Sequence, residues 1–199
     1  LLNEAKRLAS EGVKELVLVA QETTLYGKDL TGEKQLPLLL HELCKIEGIE
    51  WIRLLYCYPE EITDELIKVI KTEEKVCNYI DMPIQHSENR ILQRMGRRTS
   101  REDLVAVIKK LRKEIPDITI RTTLITGFPG ESQEDHEGLM NFVEECQFDR
   151  LGVFTYSPEE DTLAATFEDQ IDEEVKEERR DELMSLQQEI SYEHTQQLV

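Results

Sequence analysis

The sequence has no apolar run approaching eighteen residues, which excludes a transmembrane helix. It has no basic segment ahead of an apolar one at its amino end, so no secretory signal is visible and a cytoplasmic location is expected. It also lacks closely spaced cysteines. Cys44, Cys57, Cys77 and Cys146 show neither CxxC nor CxxxC, the spacings that zinc and iron–sulfur sites use. Scattered reduced thiols are the plainer reading, and a disulfide framework does not suit so large a domain without an export signal. Positive charge is scarce as well: 24 Lys and Arg stand against 42 Asp and Glu, a net charge of −18. Such a surface repels a phosphate backbone and attracts basic partners, so nucleic acid is disfavoured as a ligand of this segment.

What is present is a globular balance, 39% hydrophobic and 33% charged over 199 residues, enough for one substantial domain. Short apolar runs alternate with helical periodicity. Strands are expected near 15–20, 51–56, 76–84, 118–126 and 150–157, with at least one helical segment between each pair. That alternation is the signature of right-handed βα units on a parallel sheet, and both a doubly wound sheet and a TIM-type barrel satisfy it. Either fold gathers function at the carboxyl ends of its strands. Helix starts are expected at Thr63, at a Thr99–Glu102 capping box, and at Ser132 with Asp135. A long final helix is expected over 172–199 on the spacing of Val175, Leu183, Leu186, Ile190 and Leu198. Residues 159–182 hold twelve acids and three bases, either a solvated face or a docking surface for a basic protein. The chain opens on a helix with no strand before it, so it reads as a piece of something longer whose first strand is missing.

The strand ends supply the candidate site residues: Gln21 and Glu22, then Gln85, His86 and Ser87, then Thr126 and Gly127, then Tyr156 and Ser157. GFPGE at 127–131 lacks the P-loop pattern, and a strand-to-helix turn explains its glycines. His86 has no cysteine or second histidine at ligand spacing and reads as a hydrogen-bonded loop residue. Arg94, Arg97, Arg98 and Arg101 form a basic island, either solvated helix ends or an anion contact. Arg121 lies inside an apolar strand, where its charge needs a partner. A ligand carboxylate and a neighbouring acid are equally good partners.

Three segments carry a family resemblance: YIDMPIQHSENRILQRMGRR, IRTTLITGFPGE and VFTYSPEEDT. They resemble the radical-SAM domain of the methylthiotransferases. VAQETTLYGKDL is similar to the branch that modifies an aspartate of ribosomal protein S-twelve (RimO-like) rather than the tRNA branch (MiaB-like), which usually has a GQNV-type segment where this chain has AQET. The resemblance covers essentially the whole chain. It implies an α/β fold, a partial TIM-type (βα) barrel of the radical-SAM class over 1–171, with the first strand and cluster loop missing. The helix of 172–199 would lead to an absent TRAM domain. It implies S-adenosylmethionine (SAM) as cofactor, one molecule as radical source and one as methyl donor. The implied [4Fe–4S] clusters would belong to the full-length parent, because this chain has no CxxxCxxC; alone it is expected to be inactive, and its cysteines are not promoted to ligands.

By position, the resemblance places Gln21 and Glu22 near the SAM amino and carboxylate groups, and Gln85 and Ser87 near the ribose. Ile125 and Gly127 fall against the adenine, and Phe154 and Tyr156 complete that pocket. Glu131 serves the GFPGE turn. Thr123 stands where the tRNA branch has aspartate, and Arg121 where that branch has a small residue, so Arg121 is a candidate for holding the substrate aspartate. The implied partner is a basic ribosomal protein docking on the acidic surface that includes 159–182. The rival readings are a tRNA adenosine methylthiotransferase and a cluster-less protein-binding barrel.

Overall fold

A computed structural model describes residues 1–196 of the chain. Two compact units divide it, Leu1–Met82 with Lys109–Thr119, and Pro83–Ile108 with Ile120 onward. In both, parallel strands alternate with helices.

The first unit holds α1 (Leu2–Ser10), β1 (Glu15–Leu18), α2 (Lys28–Thr31), α3 (Leu36–Cys44), β2 (Trp51–Leu54), α4 (Asp64–Thr72) and β3 (Val76–Asp81). β1 pairs parallel with β2, and β2 with β3. Leu36, Leu39, Leu40 and Leu43 fall on one stripe of α3 and are buried with Leu66, Ile67 and Ile70 of α4. Each such side chain contributes about 1.5–3 kcal/mol relative to exposure. Thr63 caps α4 as its sequence implies, its hydroxyl accepting from the Leu66 N–H at 3.2 Å.

The second unit holds α5 (Asn89–Arg94), β4 (Thr119–Thr126, from Ile120 on), α7 (Gln133–Cys146), β5 (Arg150–Thr155) and α8 (Glu173–Gln196); α6 (Arg101–Glu114) is divided between the units. β4 and β5 pair parallel, Ile125 opposite Phe154 and Arg121 opposite Arg150. Ile120, Thr122, Leu124 and Thr126 alternate onto the buried face, leaving Arg121, Thr123 and Ile125 half-buried on the other. Ser132 and Asp135 form the expected capping box of α7.

Four expectations shift. Four of the five strands stop short of the bounds read from apolar runs, while β4 ends at Thr126 as expected. β1 ends at Leu18 because the Ala20 N–H turns to the Thr23 hydroxyl at 3.2 Å, and β2 ends at Leu54 because Tyr56 takes a left-handed φ of 56°. β3 ends at Asp81, two residues before Pro83, which has no N–H to give a ladder. β5 ends at Thr155, although the Tyr156 N–H still reaches the Thr126 carbonyl at 2.9 Å. The capping box of α6 is Ser100 with Asp103, one residue beyond the expected Thr99 and Glu102. The Asp103 carboxylate accepts from the Ser100 N–H and hydroxyl, and the Ser100 hydroxyl accepts from the Asp103 N–H.

α8 packs on β5 and α7 inside the second unit, on a stripe other than the expected one. Its buried stripe is Lys176, Arg179, Leu183, Gln187 and Ile190, while Val175 and Leu186 are only half-buried and Leu198 lies outside the described residues. Hydrogen bonding explains the polar members: Gln187 Nε2 donates to the Phe148 carbonyl at 2.7 Å, and the two cations are likewise partnered. Finally, the run of 159–182 has a solvated face formed by its acids, from which two of its bases depart. All twelve acids are exposed, but Lys176 and Arg179, two of its three bases, turn inward.

Candidate functional site

In the second unit a cleft of about 620 Å³ opens where β4 and β5 end. Ile125 and Phe154, a cross-strand pair, both line it. Phe128 and Tyr156 stand beside it edge to face, ring centroids 5.1 Å apart, packed with Ile91, Met95 and Ala164. Tyr156 is buried, and its hydroxyl has no partner among the described residues. A buried hydroxyl left without a partner carries a desolvation cost that a ligand can relieve.

Gln85 borders the cleft by an unusual route. Its φ is 71°, the left-handed region that a glutamine rarely adopts. Its backbone is nevertheless fastened to β4 on both sides, the Gln85 N–H donating to the Thr123 carbonyl (2.9 Å) and its carbonyl accepting from the Ile125 N–H (2.7 Å). Strain held by surrounding bonds at a cleft wall is the pattern of a functional position.

Behind the wall lies a buried carboxylate. Glu131 accepts from the Gly127 N–H at 2.8 Å, from the Thr126 hydroxyl at 3.3 Å and from Arg179 Nη1 at 2.9 Å. His86 Nδ1 accepts the Glu88 N–H at 3.0 Å, which leaves the proton of a neutral ring on Nε2, 3.4 Å from Glu131. Burial pushes the Glu131 carboxyl up, but His86, Arg179 and the Gly127 N–H together hold it below the ordinary glutamate range.

Four of the eight expected cofactor residues, Gln85, Ile125, Phe154 and Tyr156, therefore line one cleft. The other four do not. Ser87 is fully buried, its hydroxyl donating to Glu88 (3.1 Å) and accepting from Arg101 (3.3 Å), so it faces a half-buried ion pair. Gly127 uses its N–H on Glu131, and Lys176 fills the space beside its Cα. Gln21 and Glu22 belong to the first unit. Gln21 is exposed. Both Glu22 oxygens are taken, one by the Thr24 N–H (2.9 Å) and hydroxyl, the other by the Tyr58 N–H (3.0 Å). Burial raises the Glu22 carboxyl against those bonds.

Arg121 lies on the cleft-side face of β4, four residues, about 13 Å, before Ile125. Of the basic island, Arg94 and Arg97 reach the cleft; Arg94 pairs with Asp169 at 2.7 Å and stacks on Phe167. Sequence reasoning missed Phe128 and Leu163 as wall residues; Phe128 sits inside GFPGE, where the glycines drew attention to the backbone alone.

A larger open groove, about 980 Å³, is lined by α7 and α8 and carries Glu137, Glu178, Asp181, Glu182 and Glu189. No three His, Cys, Asp or Glu side chains converge as a metal set among the described residues. Burial pushes the Cys44 thiol up to about 11 and that of Cys57 higher still, the opposite of what metal ligation requires.

Comparison with known proteins gives a consistent picture. The family model described as the radical SAM superfamily matches residues 1–143. The chain is 62% identical over 199 residues to the ribosomal protein uS12 methylthiotransferase RimO of Lachnoclostridium phytofermentans, covering all of this chain and 45% of that protein. The RimO of Desulfitobacterium hafniense is 54% identical with the same coverage, and that of Clostridium perfringens 60% over 193 residues. The chain thus spans under half the length of these relatives. Among solved structures, the radical S-adenosylmethionine methyltransferase TsrM of Kitasatospora setae, with cobalamin and a [4Fe–4S] cluster bound, superposes with a TM-score of 0.60 at 17% identity, over 77% of this chain and 30% of that one. SuiB of Streptococcus suis, bound to its precursor peptide, superposes at 0.58 and 15% identity over 98% of this chain and 39% of that one. At such identities the likeness establishes the fold, an α/β architecture of the radical-SAM (βα) barrel class.

Proposed function

The chain belongs to the radical SAM superfamily, and from that premise we propose that it is the SAM-binding part of an enzyme that methylthiolates the β-carbon of an aspartate in ribosomal protein uS12. The observation that carries this reading is the cleft at the ends of β4 and β5, in a chain with RimO relatives along its whole length. The cleft fits an adenosyl ligand. Phe154, Phe128 and Ile125 give an apolar slot for a flat base, Gln85 gives hydrogen-bonding groups at its edge, and the buried, unpartnered Tyr156 hydroxyl gives one more within its wall.

SAM, when bound, supplies the radical and methyl-donor chemistry of such an enzyme. The described thiols do not fit a [4Fe–4S] cluster, so no step is assigned through one here; in this reading its ligands belong to the longer protein. Gln21 and Glu22 lie in the first unit, where Glu22 shapes its own loop, and they are not assigned to this cleft. Arg121 is assigned to the substrate carboxylate, deeper on the same face of β4 than the cleft. The basic protein substrate is assigned to the acidic exterior of 159–182 and the adjoining α7–α8 groove, where opposite charge speeds encounter. The tRNA reading is less favoured, because the relatives that match are named for uS12.

The test is to reconstitute the full-length protein and offer it uS12 and tRNA separately. Methylthio mass on a uS12 aspartate is expected, and its appearance on tRNA alone would overturn the assignment. Arg121→Ala is expected to abolish aspartate modification while S-adenosylhomocysteine still binds; unchanged modification removes Arg121 from the site. Tyr156→Phe is expected to weaken S-adenosylhomocysteine binding by about 0.5–1.5 kcal/mol, the net worth of one hydrogen bond.

A further inference from the structure

Lys176 and Arg179 lie one turn apart on the buried stripe of α8, and both reach the turn that follows β4. Arg179 Nη1 donates to the Glu131 carbonyl at 3.1 Å as well as to its carboxylate at 2.9 Å. The stem of Lys176 crosses Gly127 so closely that a Cβ added there would stand 2.3 Å from its Cγ. At Gly127, φ is 70°, so the turn needs glycine for its backbone and for this crossing. Lys176 Nζ then donates to the Tyr156 carbonyl at 3.0 Å and sits 5.5 Å from the centre of the Tyr156 ring. The two cations thus hold both ends of the segment that presents Phe128, and the backbone of Tyr156 beside it. Neither cation lines the cleft.

Burying two cations is a poor way to gain stability alone, since well-packed apolar residues of similar volume often do as well or better. Their reach is specific, however: each ends on an atom that fixes the cleft wall.

We propose that Lys176 and Arg179 are positioning residues of the ligand cleft, coupling the docking of α8 to ligand binding through the Gly127–Glu131 turn and the Tyr156 carbonyl. This rests on the reading of the cleft as the adenosyl site. Coupling is reciprocal, so ligand tightens the α8 contact by the factor that the contact tightens ligand.

The experiment measures S-adenosylhomocysteine affinity by calorimetry and amide hydrogen exchange on the full-length protein. Lys176→Met keeps most of the stem, and Arg179→Lys keeps the charge, so both are suited to fold. Each is expected to weaken binding by about tenfold and to speed exchange at Gly127–Glu131. Arg180→Met, at the neighbouring half-buried arginine, is expected to match wild type. A purely packing role would speed exchange along α8 and leave the turn alone. Affinity within twofold of wild type in both variants, or weakened binding with unchanged exchange in the turn, overturns the proposal. If wild type binds no S-adenosylhomocysteine, the adenosyl reading fails, and the positioning role then stands or falls on exchange in the turn.

Discussion

Glu22 and Glu131 are two carboxylates at the ends of strands, one in each unit, and their surroundings differ. Glu22 is half-buried and bonded only to neutral donors, two N–H groups and a hydroxyl, so burial wins and its carboxyl is raised. Glu131 is fully buried, but Arg179 and His86 face it and its carboxyl is lowered. Burial alone does not decide where a carboxylate titrates; the charge it meets inside does. The difference also separates their roles. Glu22 shapes a loop by capping it. Glu131 ties together a turn, a histidine and a distant helix, and those sit behind the cleft wall.

Substitution should expose this contrast. The largest loss is expected from Glu131→Ala, about 3–5 kcal/mol by chemical denaturation, because it strands Arg179 as a buried charge. Removing both partners, as Glu131→Gln with Arg179→Met, should recover part of that loss; a double variant as unstable as the sum of the singles would mean the two do not act as a pair. Acid should next distinguish the two residues. The Glu131 carboxyl is lowered on folding, so its contribution is present above the ordinary value of about 4.5 and is lost as pH falls through its folded value. Thermal midpoints should therefore drop on acidification from about pH 5 downwards, and less steeply in Glu131→Gln. Glu22, raised on folding, contributes in the opposite sense, so Glu22→Gln should not flatten that fall. Glu22→Ala should cost about 1–2 kcal/mol, the scale of a lost cap. The smallest effect concerns α6: Ser100→Ala should cost about 1 kcal/mol, whereas Glu102→Ala, outside the capping box, should stay within about 0.5 kcal/mol.

These contacts were unequally visible in the amino-acid order. Apolar runs and turn residues announced all five strands and the βα alternation, because burial on two faces demands continuous apolar runs. Boundaries slipped where single residues leave the ladder, as Tyr56 does with its left-handed backbone. The capping box of α6 was misplaced by one residue because Thr99, Ser100, Glu102 and Asp103 offer two overlapping frames of the same chemistry. The cleft was half legible. Gln85, Ile125, Phe154 and Tyr156 follow from strand ends, but nothing local in Ser87 says that Arg101, fourteen residues on, claims its hydroxyl. The inward stripe of α8 was the least readable, since three of its five members are polar and their partners lie 20 to 48 residues away.

That stripe has a consequence for how α8 comes off. Among its own described residues α8 contributes two buried aliphatic side chains to this contact, Leu183 and Ile190, beside a lysine and an arginine that water hydrates well. A helix held on by so few apolar side chains of its own is the natural first segment of the second unit to open under a protease, well ahead of its sheet.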